Sequence, residues 1–220
     1  MTLFTAASAE DYDQRIVRMV PGYWQAQQIG AAILMAHLPG AADLLIAGCG
    51  TGGELLALAN ANPSWRFTAA EPSAGMIALA QAKARASGIE NRIVFHNCPL
   101  EAAPDAGHDA AVSFLVSHFI ADDGAKSAYF QGLAHRLRPG APLLAFDYES
   151  LDLLGTAYAH WLMARGSSEI DARAVIERIA RNWHPVNSAR LGELLREAGF
   201  TDAGPVFQAL NYRCWLAVRR

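Results

Sequence analysis

Cysteine is scarce in this chain: Cys49, Cys98 and Cys214 are three among 220 residues, and no two form a C-x-x-C pair. That spacing excludes a disulfide framework and a zinc knuckle and agrees with a reducing, cytoplasmic setting. Dense positive charge is absent as well. The 18 Lys and Arg are scattered among 21 Asp and Glu, for a net charge of −3, so neither nucleic acid nor an anionic membrane surface is an expected partner. No apolar run is long enough to span a bilayer, and the stretch Met1 to Thr5 lacks the charged start and apolar core of a secretory leader. No metal-ligand spacing joins the seven histidines, so no metal is expected. Repeats and low-complexity tracts are missing too. What is there, 52 % hydrophobic and 18 % charged, suits one compact domain over residues 1–220.

The most informative stretch runs from Asp43 to Glu54, Asp-Leu-Leu-Ile-Ala-Gly-Cys-Gly-Thr-Gly-Gly-Glu. Its first half is apolar without alternation, the pattern of a strand buried on both faces of a parallel sheet. Its second half is a glycine turn that opens an Ala- and Leu-rich helix. Glycines let the backbone approach a ligand closely, and free amides at a helix start face it, so this is a nucleotide site. Gly48, Gly50 and Gly53 also satisfy the dinucleotide fingerprint G-x-G-x-x-G, which leaves the nucleotide open. Glu71, about twenty residues on at the tip of the second strand, is placed to accept hydrogen bonds from both hydroxyls of a ribose.

The rest of the chain sets out a regular alternation. Helices are expected over about 9–20 and from Tyr23 to about His37, separated by Pro21-Gly22. Together they read as a helical lid over residues 1–38. A helix over Gly53–Asn60 follows the glycine turn, then a strand over Trp65–Ala70 and a helix capped by Ser73. Strands are expected over Asn91–His96, Asp109–Phe114 and Leu143–Asp147, with a helix from about 122 to 137 between the last two. This predicts an α/β, doubly wound parallel sheet. The alternation breaks at about 150–183, where two helical stretches flank Gly166-Ser167-Ser168. That insert reads as a cap, or as the contact for a second copy in a homodimer. A helix over Ser188–Ala198 and a hairpin of Val206–Leu210 with Tyr212–Val218 complete the chain.

Three blocks taken together resemble the class I S-adenosylmethionine-dependent methyltransferases: Leu44 to Gly52, Ala-Ala-Glu-Pro-Ser-Ala-Gly-Met around Glu71, and Leu137-Arg138-Pro139-Gly140 before the fifth strand. They cover most of residues 40–147. The resemblance implies a Rossmann-like, seven-stranded, mostly parallel sheet with an antiparallel last strand, helices on both faces and, here, the helical insert after strand 5. It implies S-adenosyl-L-methionine as cofactor and methyl transfer to O or N of a small molecule. The implied cofactor contacts are Gly48, Cys49, Gly50, Gly52, Glu71, Pro72, Pro99, Leu100 and Phe114. Met19-Val20-Pro21-Gly22-Tyr23 and Phe207-Gln208-Ala209-Leu210-Asn211-Tyr212 resemble the subgroup that contains carboxy-S-adenosylmethionine synthase, which serves tRNA modification. That likeness adds Tyr23 as a cofactor contact.

Three positions depart from these patterns. Ile46 stands where the glycine-motif strand usually carries an acid, and Cys98-Pro99 where Gly-Asp is usual. The synthase-like subgroup has an arginine shortly before an Ala-Gly-Phe block; here the block is Ala198-Gly199-Phe200 and the matching position is Leu194. The alternatives to methyl transfer are carboxylated-cofactor chemistry and a cofactor-binding module without activity.

Methyl transfer needs an acceptor held in line, and a base only when the acceptor is protonated. His118, four residues past Phe114, is the candidate base; its alternative role is to pack beside Phe119 and orient the loop. Tyr148, Trp24 and His184 are the candidate substrate contacts. Tyr158 and Trp161, at helical spacing, read as core.

Overall fold

A computed structural model describes residues 11–150 and 154–220. Two helices come first, α1 (Tyr12–Met19) and α2 (Tyr23–His37), and Gly22 turns the chain between them with a φ of 70°. The part of the expected first helix before residue 11 lies outside the described residues. Then β1 (Ala42–Ala47), α3 (Gly53–Ala61), β2 (Trp65–Ala70), α4 (Ala74–Ala86), β3 (Ile93–His96), β4 (Ala110–Phe114), α5 (Ala125–His135) and β5 (Pro142–Tyr148) follow in strict order. Ser73 caps α4 as its sequence suggests, its Oγ accepting from Met76 N at 3.4 Å.

The insert contains α6 (Gly155–Ala164) and α7 (Glu169–Asn182), and the chain returns through α8 (Ser188–Glu197) to β6 (Phe200–Ala209) and β7 (Tyr212–Arg219). The seven strands lie in the order β3-β2-β1-β4-β5-β7-β6. β1 to β5 are parallel, and β7 is antiparallel to both its neighbours. This is the mostly parallel, Rossmann-like sheet expected, with helices on both faces. Chain direction across the sheet reverses between β1 and β4. A crevice therefore opens above their carboxyl ends, where sheets of this kind bind ligands.

Side-chain alternation along β1 divides the core into two layers. Leu44 and Ile46 pack with Leu34 of α2, Leu55 of α3 and Tyr158 of the insert. Leu45 and Ala47 face the other way, with Phe130 of α5 and Leu191 and Leu194 of α8. Burying each such large side chain contributes about 1.5–3 kcal/mol. The insert joins the first layer: Tyr158 Oη donates to Met19 O at 3.0 Å, and Trp161 Nε1 donates to Arg18 O at 3.1 Å. Both rings do the structural work that their spacing suggests. Among the described residues no helix is long and apolar enough to cross a membrane.

Two boundaries differ from expectation. The third strand starts at Ile93 because Glu90–Arg92 form a 3-10 turn. Arg92 there donates to the carbonyls of Ala59, Asn62 and Trp65, which draws it away from the ladder. The hairpin's first strand begins at Phe200 rather than Val206. Gly204-Pro205 reads as a turn in sequence, but on an edge strand register shifts on either side absorb it.

Candidate active site

The chain leaves β1 through a loop in which Gly48, Gly50 and Gly52 all have positive φ, 77°, 51° and 87°. At Gly48 the requirement is double, because a Cβ there would also lie 2.5 Å from Val116 Cγ2. The loop is anchored to the next strand: Gly48 N and Cys49 N donate to Ala70 O at 2.8 and 3.1 Å. Glu71, at the tip of β2, completes the anchor by accepting from Gly50 N at 3.0 Å and Ser73 N at 2.8 Å. Asn97 Nδ2 holds the same tip through Glu71 O at 2.9 Å and Pro72 O at 3.1 Å.

Above this loop lies a cavity of about 880 Å³. Gly48, Gly50, Glu71, Pro72, Pro99, Leu100 and Phe114 line it, which brings seven of the ten expected cofactor positions to one surface. The other three stand behind it. Cys49 is buried in the first core layer, with its thiol pushed well up by burial. Gly52 packs against Ala80. Tyr23 presses its hydroxyl against Gly53, where a Cβ would come within 2.5 Å of Oη. Burial, then the charge of Glu54, pushes the Tyr23 phenol above its ordinary range.

The cavity also has walls that sequence reading missed. Tyr12 of α1 closes one side. Its helix is pinned by Asp13, which accepts from Thr51 Oγ1 at 2.5 Å and pairs with Lys83. On α5, Ala125, Ala128, Tyr129 and Gly132, and Arg136 just past its end, face the cavity. Their spacing of three and four is a helical stripe of mostly small residues, a legible signal that the helix leaves space rather than filling it. Tyr129 Oη is 2.7 Å from Ser113 Oγ, and Arg136 spends its guanidinium on the carbonyls of Ala103, Gly132 and Glu101.

His118 is not on the cavity surface. It is 2 % exposed and packed against Phe119 and Trp183, both at 4.0 Å between ring centroids. Phe119 itself is in the wall. His118 Nδ1 pairs with Asp147 Oδ1, and its backbone N donates to Asp147 Oδ2 at 3.1 Å. Burial pushes Asp147 up, but the charge and hydrogen bonds of His118 outweigh it and hold the carboxyl below its usual value. An ionised carboxylate only accepts, so Nδ1 carries a proton and Nε2 is the ring nitrogen that Asp147 leaves unengaged. Nε2 is buried with no hydrogen-bond partner.

None of the three expected substrate contacts lines this cavity. Trp24 is 52 % exposed and lies in a shallow surface depression with Met35 and Ala57. One residue along a helix turns the side chain by 100°, so Tyr23 facing inward puts Trp24 outside. Tyr148 is taken up by Tyr158, Trp183 and Tyr212, at 5.2–6.1 Å between centroids. His184 is exposed and serves through its backbone: its N donates to His118 O at 2.6 Å, and its O accepts from Lys126 Nζ at 2.9 Å. Leu194 lies in the second core layer and is not part of the cavity lining.

A volume of this size, a glycine loop without side chains in its floor and a strand-tip carboxylate together fit a nucleoside carrying an amino-acid tail. The fold is the Rossmann-like one seen in S-adenosylmethionine-dependent methyltransferases. Comparison with known proteins agrees. Residues 44–140 match the family model described as a methyltransferase domain. An uncharacterised Synechococcus protein is 36 % identical over 137 residues, 60 % of this chain and 32 % of its own length. The carboxy-S-adenosyl-L-methionine synthase of Campylobacter hominis is 23 % identical over 214 residues, 95 % of this chain and 91 % of its own. Among solved structures, an O-methyltransferase family 2 protein from Planctomyces limnophilus, in complex with apigenin, shares the fold with a TM-score of 0.72. It is 17 % identical, and the match covers 100 % of this chain and 63 % of that one. The chain thus spans about a third of the cyanobacterial relative and under two thirds of this solved chain. The matched residues 44–140 contain the glycine loop, Glu71, Pro99, Leu100 and Phe114.

Proposed function

We propose that this protein transfers a methyl group from S-adenosylmethionine to an oxygen or nitrogen of a small-molecule acceptor. The observation that carries the reading is the cavity at the strand switch point, with the glycine loop and Glu71 in its floor. When bound, the cofactor supplies an electrophilic methyl on a sulfonium. Glu71 accepts from the ribose hydroxyls, because each of its oxygens keeps a lone pair after accepting one backbone amide. Pro99, Leu100 and Met76 wall the base, while Phe114, Phe119 and Ile120 exclude water around the acceptor. Helices α1 and α2 act as a lid and α6 and α7 as a cap, and three free thiols support a cytoplasmic setting.

His118 takes the acceptor's proton at Nε2, with Asp147 fixing the tautomer and steadying the imidazolium. Phe119 must swing aside to admit the acceptor. His118→Asn keeps a donor for Asp147 and removes the base. Turnover of a hydroxyl or ammonium acceptor should fall by about 10²–10⁴-fold with cofactor affinity retained. Near-normal turnover would leave His118 a purely structural role.

Similarity over almost the whole chain to carboxy-S-adenosyl-L-methionine synthases supports a second reading, a carboxylated cofactor. Arg136 argues against it: an extra buried carboxylate needs a cationic partner, and the guanidinium of this lining residue is already held by the carbonyls of Ala103, Gly132 and Glu101. Mass spectrometry of the ligand released on denaturation decides: a mass higher by one carboxyl group favours the second reading.

A further inference from the structure

Behind the glycine loop, three buried side-chain atoms have no hydrogen-bond partner: Glu54 Oε1, Gln27 Oε1 and Gln27 Nε2. Glu54 is in the first turn of α3, directly after the loop, and is 7 % exposed. Gln27 packs onto the preceding residue, its Nε2 3.3 Å from where a Gly53 Cβ would be. A buried polar atom without a partner costs about 1–3 kcal/mol, and three in one place need a reason.

The charges around them point to a cationic ligand. Glu54 is the strongest charged influence on Tyr12, which stands in the cavity wall, and on Cys49, which lies between the two wall residues Gly48 and Gly50. Glu54 is not itself a lining residue; it follows the loop that is, in the first turn of α3. Two acids do line the cavity. Glu71 already accepts two backbone amides, and Glu101 is exposed to solvent. At the end of β1, where an acid would face the loop, Ile46 is fully buried and apolar.

Resting on the cofactor reading above, we infer that Glu54 and Gln27 receive the α-ammonium group of the cofactor's amino-acid portion, which enters where Tyr12 closes over the loop. Glu54 and Gln27 Oε1 accept from the ammonium, and Gln27 Nε2 is free to donate to the adjoining carboxylate. The groups that interact electrostatically with Glu54 are Tyr12 on α1, Tyr23 on α2, Cys49 in the loop, Glu71 at the tip of β2 and Lys83 on α4. Burial pushes the Glu54 carboxyl up to about 8; its own backbone amide and Lys83 pull it down, and Glu71 adds to the push. Binding of an ammonium then drives a proton off Glu54 at neutral pH.

Two ligands separate this role from a structural one: S-adenosylhomocysteine, which has the amino acid, and 5′-methylthioadenosine, which keeps the nucleoside and thioether without it. Calorimetry at pH 7 in buffers of different ionisation enthalpy should show close to one proton released per homocysteine ligand and none for the thioadenosine. Glu54→Gln should weaken the homocysteine ligand by about 10–100-fold, the worth of a hydrogen bond to a charged group. It should abolish the proton release and leave thioadenosine affinity unchanged, which also shows that the variant is folded. Equal affinity of wild type and Glu54→Gln for the homocysteine ligand, or equal losses for both ligands, overturns the assignment. Failure of the wild type to bind either ligand overturns the cofactor reading itself.

Discussion

Glu71 holds two loops at once, and its replacement tests both functions. In Glu71→Gln one oxygen becomes an amide nitrogen that faces the donor of Gly50 or Ser73. Losing a hydrogen bond to a charged group should destabilise the fold by about 1.5–3 kcal/mol and loosen the glycine loop. Urea unfolding and titration with S-adenosylhomocysteine should both report the loss. Glu54 makes a separate statement through pH. Its carboxyl rises from 4.5 to about 8 on folding, so between those values the unfolded chain is ionised while the folded one holds its proton. Unfolded protein then binds fewer protons, and stability falls as pH rises through that window, levelling off above it. Glu71, also raised by burial, acts in the same sense. Removing the buried acid should therefore make Glu54→Gln progressively more stable than wild type from pH 5 to pH 9, measured by urea midpoints. Glu71 was legible because its distance from the glycine loop fixes it at a strand tip. Glu54 and Tyr12 were not, since their importance comes from a helix packing across the loop, and no spacing in the chain records that.

At the level of elements, helices were legible in their positions and less so in their faces. Tyr23 and Trp24 are neighbours in sequence, yet one faces inward and the other solvent. The position of Leu194, read as facing a ligand, belongs instead to the packed side of α8, with Leu191, Phe130 and Phe200. Installing an arginine there would bury a charge in an apolar layer. Leu194→Arg should cost about 4 kcal/mol or more and leave little folded protein, as circular dichroism and yield would show. Its folding with tighter binding of a carboxylated ligand would show that α8 sits elsewhere. The insert was legible as helix but not as to what it does. Lys126, fully buried on α5, ties it to the site wall by donating to Ser117 O at 2.5 Å and His184 O at 2.9 Å. Nothing in a single lysine within a helix announces such a tie.

For the whole molecule, topology was the most legible quantity, because unbroken apolar strands between amphipathic helices leave few ways to arrange a parallel sheet. The choice of nucleotide can be tested at the same scale. A ligand that binds only the folded state, at a hundred times its dissociation constant, stabilises by about 2.7 kcal/mol. For a domain of this size each kcal/mol moves the melting point by about 2–4 °C. S-adenosylhomocysteine should therefore raise the melting temperature by roughly 5–10 °C, and NAD should leave it unchanged. The reverse result would remove the cofactor assignment. The strand order carries one more consequence. β7 is made after β6 yet lies inside it, against β5. While the chain emerges from the ribosome, the outer margin of β5 stays uncovered even after β6 has been synthesised, because β6 has no neighbour to dock on until β7 is inserted. The nascent chain carries an open hydrogen-bonding margin through that interval, and a chain cut after Leu210 would carry it permanently. The residues beyond that turn thus decide whether β5 is covered at all, although they lie far in sequence from the glycine loop.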